Sequence, residues 1–352
     1  QQPQVLETFS AQSIANVALG FAKLKVSDED LMACLAARMM EPSVLSSCTA
    51  QGISTTAWAF AFQGLKHEPL MDALASRALG SQSTPSLVQT FNAQAVANTV
   101  WAFATLGIRH HTLLHALVDR AKPLLASFSS QEIANTVWGL AKLRMACPGL
   151  LQAVGSWFQE PALAKALSLR DAVQLVWGFA KLDVQHPALL QSVGAAILEM
   201  DVTLTAKDVA DLSWAYGKLR HAHPELMMFV AEQTLQRRTL ASLTAVGISN
   251  LAWGCARVGF RSDELMEALA DRVVRRRILK NTKAHNVADL LWAYGELKVL
   301  HSTLMLALAQ RVIHSSMRPH LTGQNIADIA GAYAVLNFPH KTLMEHLAKQ
   351  AV

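Results

Sequence analysis

Seven of the eight tryptophans in this chain stand in one recurring context, at Trp58, Trp101, Trp138, Trp177, Trp214, Trp253 and Trp292. Leu19 and Gly331 fill the same slot in an outer copy at either end. The nine anchors are 39, 43, 37, 39, 37, 39, 39 and 39 residues apart. A leucine stands twelve residues after every one: Leu31, Leu70, Leu113, Leu150, Leu189, Leu226, Leu265, Leu304 and Leu343. Chance does not keep such a register. A fixed period of this length marks a repeat architecture, in which one small unit stacks on the next. The nine units span residues 9–352 as a single array, with 1–8 as an N-terminal extension, and leave no room for a separate catalytic domain.

Each unit reads as two helices. Nine residues before the anchor stands a residue that can cap a helix: Ser10, Thr49, Asn92, Ser129, Ser168, Thr205, Thr244 or Thr322. The eighth copy has Lys283 there, next to Thr282. Ser129 and Glu132 have the spacing of a capping box. The second helix starts near a proline, serine or histidine about ten residues after the anchor, as in His186-Pro187 and His223-Pro224. Apolar residues then follow at helical spacing, as in Leu265, Met266, Leu269 and Ala270. One such hairpin cannot bury its own apolar face, so the expected fold is an all-α, right-handed α-solenoid of nine helix-turn-helix repeats averaging about 39 residues. The extra residues between Gly80 and Gln89 belong in a loop between helices.

The first helix has two distinct faces. At about 100° per residue, the positions five before and two after the anchor fall together, near 200–220°. The former carries Ile14, Ile53, Val96, Ile133, Val209, Ile248, Val287 and Ile326. The latter carries Phe21, Phe60, Phe103, Leu140, Phe179, Tyr216, Cys255, Tyr294 and Tyr333. This is the core side, and the three tyrosines read as core residues in a phenylalanine slot. Opposite it, between about 20° and 60°, runs a polar stripe. Seven before the anchor are Gln12, Gln51, Gln94, Gln131, Arg170, Lys207 and Gln324. Three before it are Asn16, Thr55, Asn98, Asn135, Gln174, Asp211, Asn250, Asp289 and Asp328. Four after it are Lys23, Lys142, Lys181, Lys218 and Arg257, with Phe62, Thr105, Glu296 and Val335 in the other copies. Beside the stripe lies Ala59, Ala102, Gly139, Gly178, Ala215, Gly254 or Ala293, small enough to let another backbone come close.

A polar stripe on one helix is ordinarily a solvated face, where Lys and Glu would dominate. Here the middle position is almost exclusively amide or carboxylate. Short planar groups with paired donors and acceptors suit the edges of bases, and a cation one turn away suits phosphate. The nine middle residues are therefore the candidate base contacts. Asn98 and Asn135 lean towards adenine, whereas Asp211, Asp289 and Asp328, which only accept while ionised, suit cytosine or guanine. Lys23, Lys142, Lys181, Lys218, Arg257, Arg170 and Lys207 are the candidate backbone contacts, joined by Arg275, Arg276 and Arg277. These last three belong to the densest basic run, Arg272 to Lys283, which reads either as a solvated linker or as a phosphate-gripping edge. The tryptophans lie at the edge of the stripe and read first as packing between consecutive first helices, second as base-stacking surfaces. Trp157 is out of register, where other copies carry arginine, and reads as local packing.

Composition bounds the alternatives. The chain of 352 residues is 52% apolar, too apolar for a disordered segment, yet no run of about 18 apolar residues occurs to cross a membrane. A net charge of +5 suits a polyanionic partner. The four cysteines lie far apart and argue against a disulfide framework or a zinc site. Residue 1 is Gln, which reads as a fragment or processed form whose targeting peptide would be out of view. Six histidines, His67, His110, His186, His223, His301 and His340, share the position nine after the anchor. One per unit is too dispersed for a metal cage and fits helix capping, so no metal and no cofactor are expected. No GxGxxG, GxxxxGK[ST], GxSxG or HExxH string occurs, and no enzyme is expected.

Strings such as Glu132-Ile133-Ala134-Asn135-Thr136-Val137-Trp138-Gly139-Leu140-Ala141-Lys142-Leu143 and Ala97-Asn98-Thr99-Val100-Trp101-Ala102-Phe103-Ala104 closely resemble the octotricopeptide repeat. That family is abundant in algae and is related to repeats of apicomplexan organellar proteins. The resemblance covers essentially the whole chain. It implies paired helices of about 38 residues per unit and binding of single-stranded RNA, a transcript or a ribosomal RNA segment, in a chloroplast or mitochondrion. It further implies base reading on the first helix, and some members are organellar ribosome components with ribosomal or other proteins as partners. Two departures stand out: the outer copies lack the tryptophan, and no RAP-type nuclease-like module follows the array within these residues, so RNA cleavage is not expected. The rival reading from another class is a scaffold of HEAT or armadillo type that holds a protein segment along the same concave face.

Overall fold

In a computed structural model the described residues, 3–275 and 278–351, form helices joined by turns and loops, with no strand among them. In chain order the helices are α1 (Pro3–Glu7), α2 (Ala11–Leu24), α3 (Glu29–Met40), α4 (Pro42–Ser46), α5 (Ala50–Phe62), α6 (Glu68–Leu79), α7 (Ala93–Leu106), α8 (His111–Leu124), α9 (Ser130–Lys142), α10 (Pro148–Trp157) and α11 (Pro161–Lys165). They continue with α12 (Leu169–Lys181), α13 (Pro187–Leu198), α14 (Ala206–Lys218), α15 (Pro224–Leu235), α16 (Arg237–Ser242), α17 (Ala245–Arg257), α18 (Asp263–Arg275), α19 (Ala284–Glu296), α20 (Ser302–Ile313), α21 (Gly323–Val335) and α22 (Lys341–Ala351). Every anchor lies in a first helix of the nine expected pairs, and none of the described helices is long and apolar enough to cross a membrane.

Two compact units arise, residues 1–189 and 190–352. In the first, α2, α5, α7, α9 and α12 pack one on the next, while α3, α6, α8 and α10 form a second row. In the second, α14, α17, α19 and α21 form the first-helix row, and α15, α18, α20 and α22 the other. Each unit is thus a solenoid-like stack of two helix layers with the core between them.

Local chemistry starts each helix as the sequence requires. Ser10, Thr49, Asn92, Ser129, Ser168, Thr205, Thr244 and Thr322 each accept a hydrogen bond from the backbone N–H three residues on. Ser129–Glu132 closes its capping box, and Thr205–Asp208 and Thr322–Asn325 do the same. Lys283 makes no side-chain cap, and Thr282 turns its hydroxyl to the Ile278 carbonyl instead of replacing it. Six of the nine second helices are capped by histidine. Nδ1 of His67, His110, His186, His223, His301 and His340 accepts from the N–H of Leu70, Leu113, Leu189, Leu226, Leu304 and Leu343 at 3.1–3.4 Å. The recurring leucine therefore has two tasks, offering its amide to the cap and its side chain to the core. Eight of the nine are buried, each stabilising the core by roughly 1.5–3 kcal/mol.

The core side of the first helix is the expected one. Phe60, Phe103, Leu140, Phe179, Tyr216, Cys255, Tyr294 and Tyr333 are at most 1% exposed, as are Ile14, Ile53, Val96, Val209, Ile248 and Val287. Phe21 in the first repeat and Ile326 in the last are only half-buried, because a terminal repeat has a neighbour on one side alone.

Candidate nucleic-acid interface

Neighbouring first helices approach closely within each unit. A Cβ added at Gly139 would lie 2.8 Å from Val100 Cγ1 and 3.1 Å from the Val100 carbonyl, and one at Gly254 would lie 2.2 Å from the Ser213 carbonyl. At these glycines a side chain would collide with the preceding first helix, so their lack of one sets how closely the two helices approach.

That spacing gathers residues far apart in sequence into grooves. In the first unit a groove of about 960 Å³ is lined by Gln51, Thr55, Gln94, Asn98, Gln131 and Asn135, with Lys23 and Trp58 at its side. A smaller one of about 410 Å³ takes Gln12 and Asn16 together with Gln51 and Thr55. In the second unit a groove of about 1080 Å³ is lined by Lys207, Asp211 and Asn250. Gln174, Asp289 and Asp328 line none of these three. Arg77 and Arg238 face the two larger grooves, and the sequence reading missed both because they belong to elements other than the first helices.

The middle residues are half-buried, except Asn16, which is exposed. They are presented by the stripe without being flooded by solvent. Their polar groups are engaged to different degrees. Lys207 pairs with Asp211 one turn on, and Gln324 Nε2 donates to Asp328 Oδ1 at 2.7 Å. The Gln174 Oε1 is buried with no partner among the described residues. Asp289 is pushed up to about 6 by desolvation and by the charge of Asp328 at the same position of the next repeat.

The cations sit where the turn count places them. Lys23, Lys142, Lys181 and Arg170 are exposed, whereas Lys218 and Arg257 are half-buried. Lys142 Nζ lies 5.5 Å from the Trp138 ring, and the Arg257 guanidinium 5.4 Å from Trp253 and 6.0 Å from Trp292. The tryptophans are half-buried and meet across repeats, Trp58 to Trp101 at 6.2 Å and Trp253 to Trp292 at 6.4 Å between centroids. These pairs bear out packing between consecutive first helices.

The basic run after the seventh unit divides. Arg272 is a structural clamp, its Nη2 donating to the carbonyls of Ala241 at 2.6 Å and Leu243 at 3.2 Å. Arg38, Arg120 and Arg311, nineteen residues after their anchors, grip Phe9, Phe91 and Thr282 in the same way. Each ties a second helix to the carbonyl just before the first helix of its own repeat. The side chain of Arg275, and Arg276 and Arg277 entirely, lie outside the described residues.

One periodic feature escaped the sequence reading. Six residues after each anchor the backbone turns left-handed, with φ between 49° and 72°: Lys25, Gly64, Gly107, Arg144, Asp183, Arg220, Gly259, Lys298 and Asn337. Glycine marks only three of the nine, which hid the signal. Four of the others are cations at a first helix's C-terminal end, where the macrodipole favours positive charge.

A family model described as RESC6, RNA-editing substrate-binding complex 6 protein, matches this chain over residues 3–224 and again over 165–352. The two placements overlap, as an array of similar units permits. No curated protein matches.

Proposed function

Since the chain belongs to the RNA-editing substrate-binding complex 6 protein family, we propose that it is a non-catalytic RNA-binding subunit of organellar RNA processing that grips single-stranded RNA along its first helices. The observation that carries this reading is the gathering of the stripe into grooves, with six amide and hydroxyl residues from three successive repeats lining one of them. Amides there can pair base edges while the lysines one turn on hold phosphate. A mitochondrial site and company with other subunits of an editing complex are parts of the same proposal, as is octotricopeptide-like base reading at Asn16, Thr55, Asn98, Asn135, Gln174, Asp211, Asn250, Asp289 and Asp328. So is a single nine-unit repeat array over residues 9–352, and so is Arg275–Arg277 as a further phosphate contact.

The test is retention of RNA by the purified chain from a mixture of organellar RNA and protein, followed by sequencing of what is held. Selective, salt-sensitive RNA retention with a common motif is the expected result. Protein capture without RNA would instead support the scaffold reading.

A further inference from the structure

We propose that Phe62 is a stacking platform for one unpaired base of a single-stranded RNA. The assignment rests on the RNA-binding reading above and deepens it at one repeat. Phe62 occupies the slot four residues after the anchor, where the first, fourth, fifth, sixth and seventh repeats carry Lys or Arg. In the fourth and seventh repeats that cation lies over the tryptophan of its own helix, at 5.5 Å and 5.4 Å. In the second repeat a phenyl ring takes its place, stacked on Trp58 with centroids 4.9 Å apart and planes 23° from parallel. Trp58 in turn meets Trp101 of the next repeat. Phe62 is therefore backed on one face by the Trp58 indole, yet 42% exposed.

A single exposed apolar residue is ordinary. Here the surroundings give it a use. Trp58, on which Phe62 stacks, lines the 960 Å³ groove with Thr55, Asn98 and Lys23, so polar groups that can meet a base edge and a cation that can meet a phosphate lie beside the indole that carries the ring. The neighbouring slot holds Thr105, and the next one Lys142. Exchanging the cation for a ring removes a phosphate contact at this repeat and supplies a π-face in its stead. Any base can stack on such a face, so the platform sets register along the strand more than it sets sequence.

The experiment uses the full chain and an RNA selected from a random pool by the wild-type protein. Each nucleotide of that RNA is made abasic in turn, and affinity is measured for wild type, Phe62→Tyr, Phe62→Leu and Phe62→Ala. Phe62→Leu keeps apolar packing on Trp58 but loses the flat ring, and thermal melts check that each variant is folded. For wild type, one abasic position should weaken binding by roughly 5- to 150-fold. Phe62→Leu and Phe62→Ala should lose a similar factor on the intact RNA and become indifferent to that abasic position. Their salt dependence should not change, since no cation is lost, and Phe62→Tyr should bind as wild type. A Phe62→Leu variant that binds as tightly as wild type, or binds more weakly with the abasic profile unchanged, overturns the platform while leaving RNA binding in place. A wild-type chain that selects no RNA overturns the RNA-binding reading itself and the platform with it.

Discussion

The phenol of Tyr216 donates to the backbone carbonyl of Leu190 at 2.7 Å, joining the first helix of the sixth repeat to the second helix of the fifth. Tyr294 to Met266 and Tyr333 to Met305 repeat the bond, each reaching the carbonyl thirteen residues after the preceding anchor. Apolar packing alone can slide, whereas these bonds fix the height of one repeat against the last. Burial pushes all three phenols above their ordinary range, so they remain protonated donors.

Replacing Tyr216 by Phe keeps the volume and removes only the donor. The bond to the Leu190 carbonyl is then lost from the core, and stability should fall by about 0.5–1.5 kcal/mol. Urea unfolding of the variant measures it. A midpoint equal to wild type would mean that the bond contributes nothing beyond the ring.

The histidine caps predict an asymmetry between two substitutions. His67→Asn keeps a side-chain acceptor for the Leu70 amide and should be close to wild type in stability, whereas His67→Ala should cost about 0.5–2 kcal/mol. Thermal melts of the pair decide the matter. Equal losses in both would show that His67 acts through its ring packing near Phe60 and not through the cap.

Asp289 should make stability depend on pH in an unusual direction. Its folded-state value is raised to about 6 from 3.8, so folding favours the protonated form. The resulting stabilisation is complete below the unfolded value and is lost as pH rises through about 6. Asp289→Asn removes the titrating charge beside Asp328. The variant should therefore exceed wild type in Tm at neutral pH, and the gap should narrow as pH falls through about 6 and close only below 3.8. A gap that is constant with pH would remove the Asp289–Asp328 repulsion from the account.

Converting Lys142, Lys181 and Lys218 together to Ala should weaken RNA binding and flatten its salt dependence. Each lost phosphate contact removes roughly 0.7 from the log–log slope for a single strand. Binding isotherms across a salt series give the slope, and one unchanged from wild type would take these lysines out of the interface.

Much of this molecule was written locally. Helix starts at Ser10 or Thr49, the core slots of Ile53 and Phe60, and the amide stripe of Asn98 and Asn135 follow from a period of 3.6 laid on a period of about 39. The His67 cap was also legible, because a cap and its amide lie three residues apart. All of these interactions close within one helix turn, so the order of residues suffices to place them. The chain could not announce what only stacked repeats bring together. Asp289 and Asp328 are 39 residues apart, and their repulsion exists only once α19 lies against α21. Arg272 reads as free charge until its second helix folds back on Leu243. Tyr216 reads as one more core ring, since the carbonyl that accepts its hydrogen bond belongs to another repeat. Partner choice for a buried donor or a half-buried charge is set by distances between separate helices, and close packing fixes those distances only in the assembled stack.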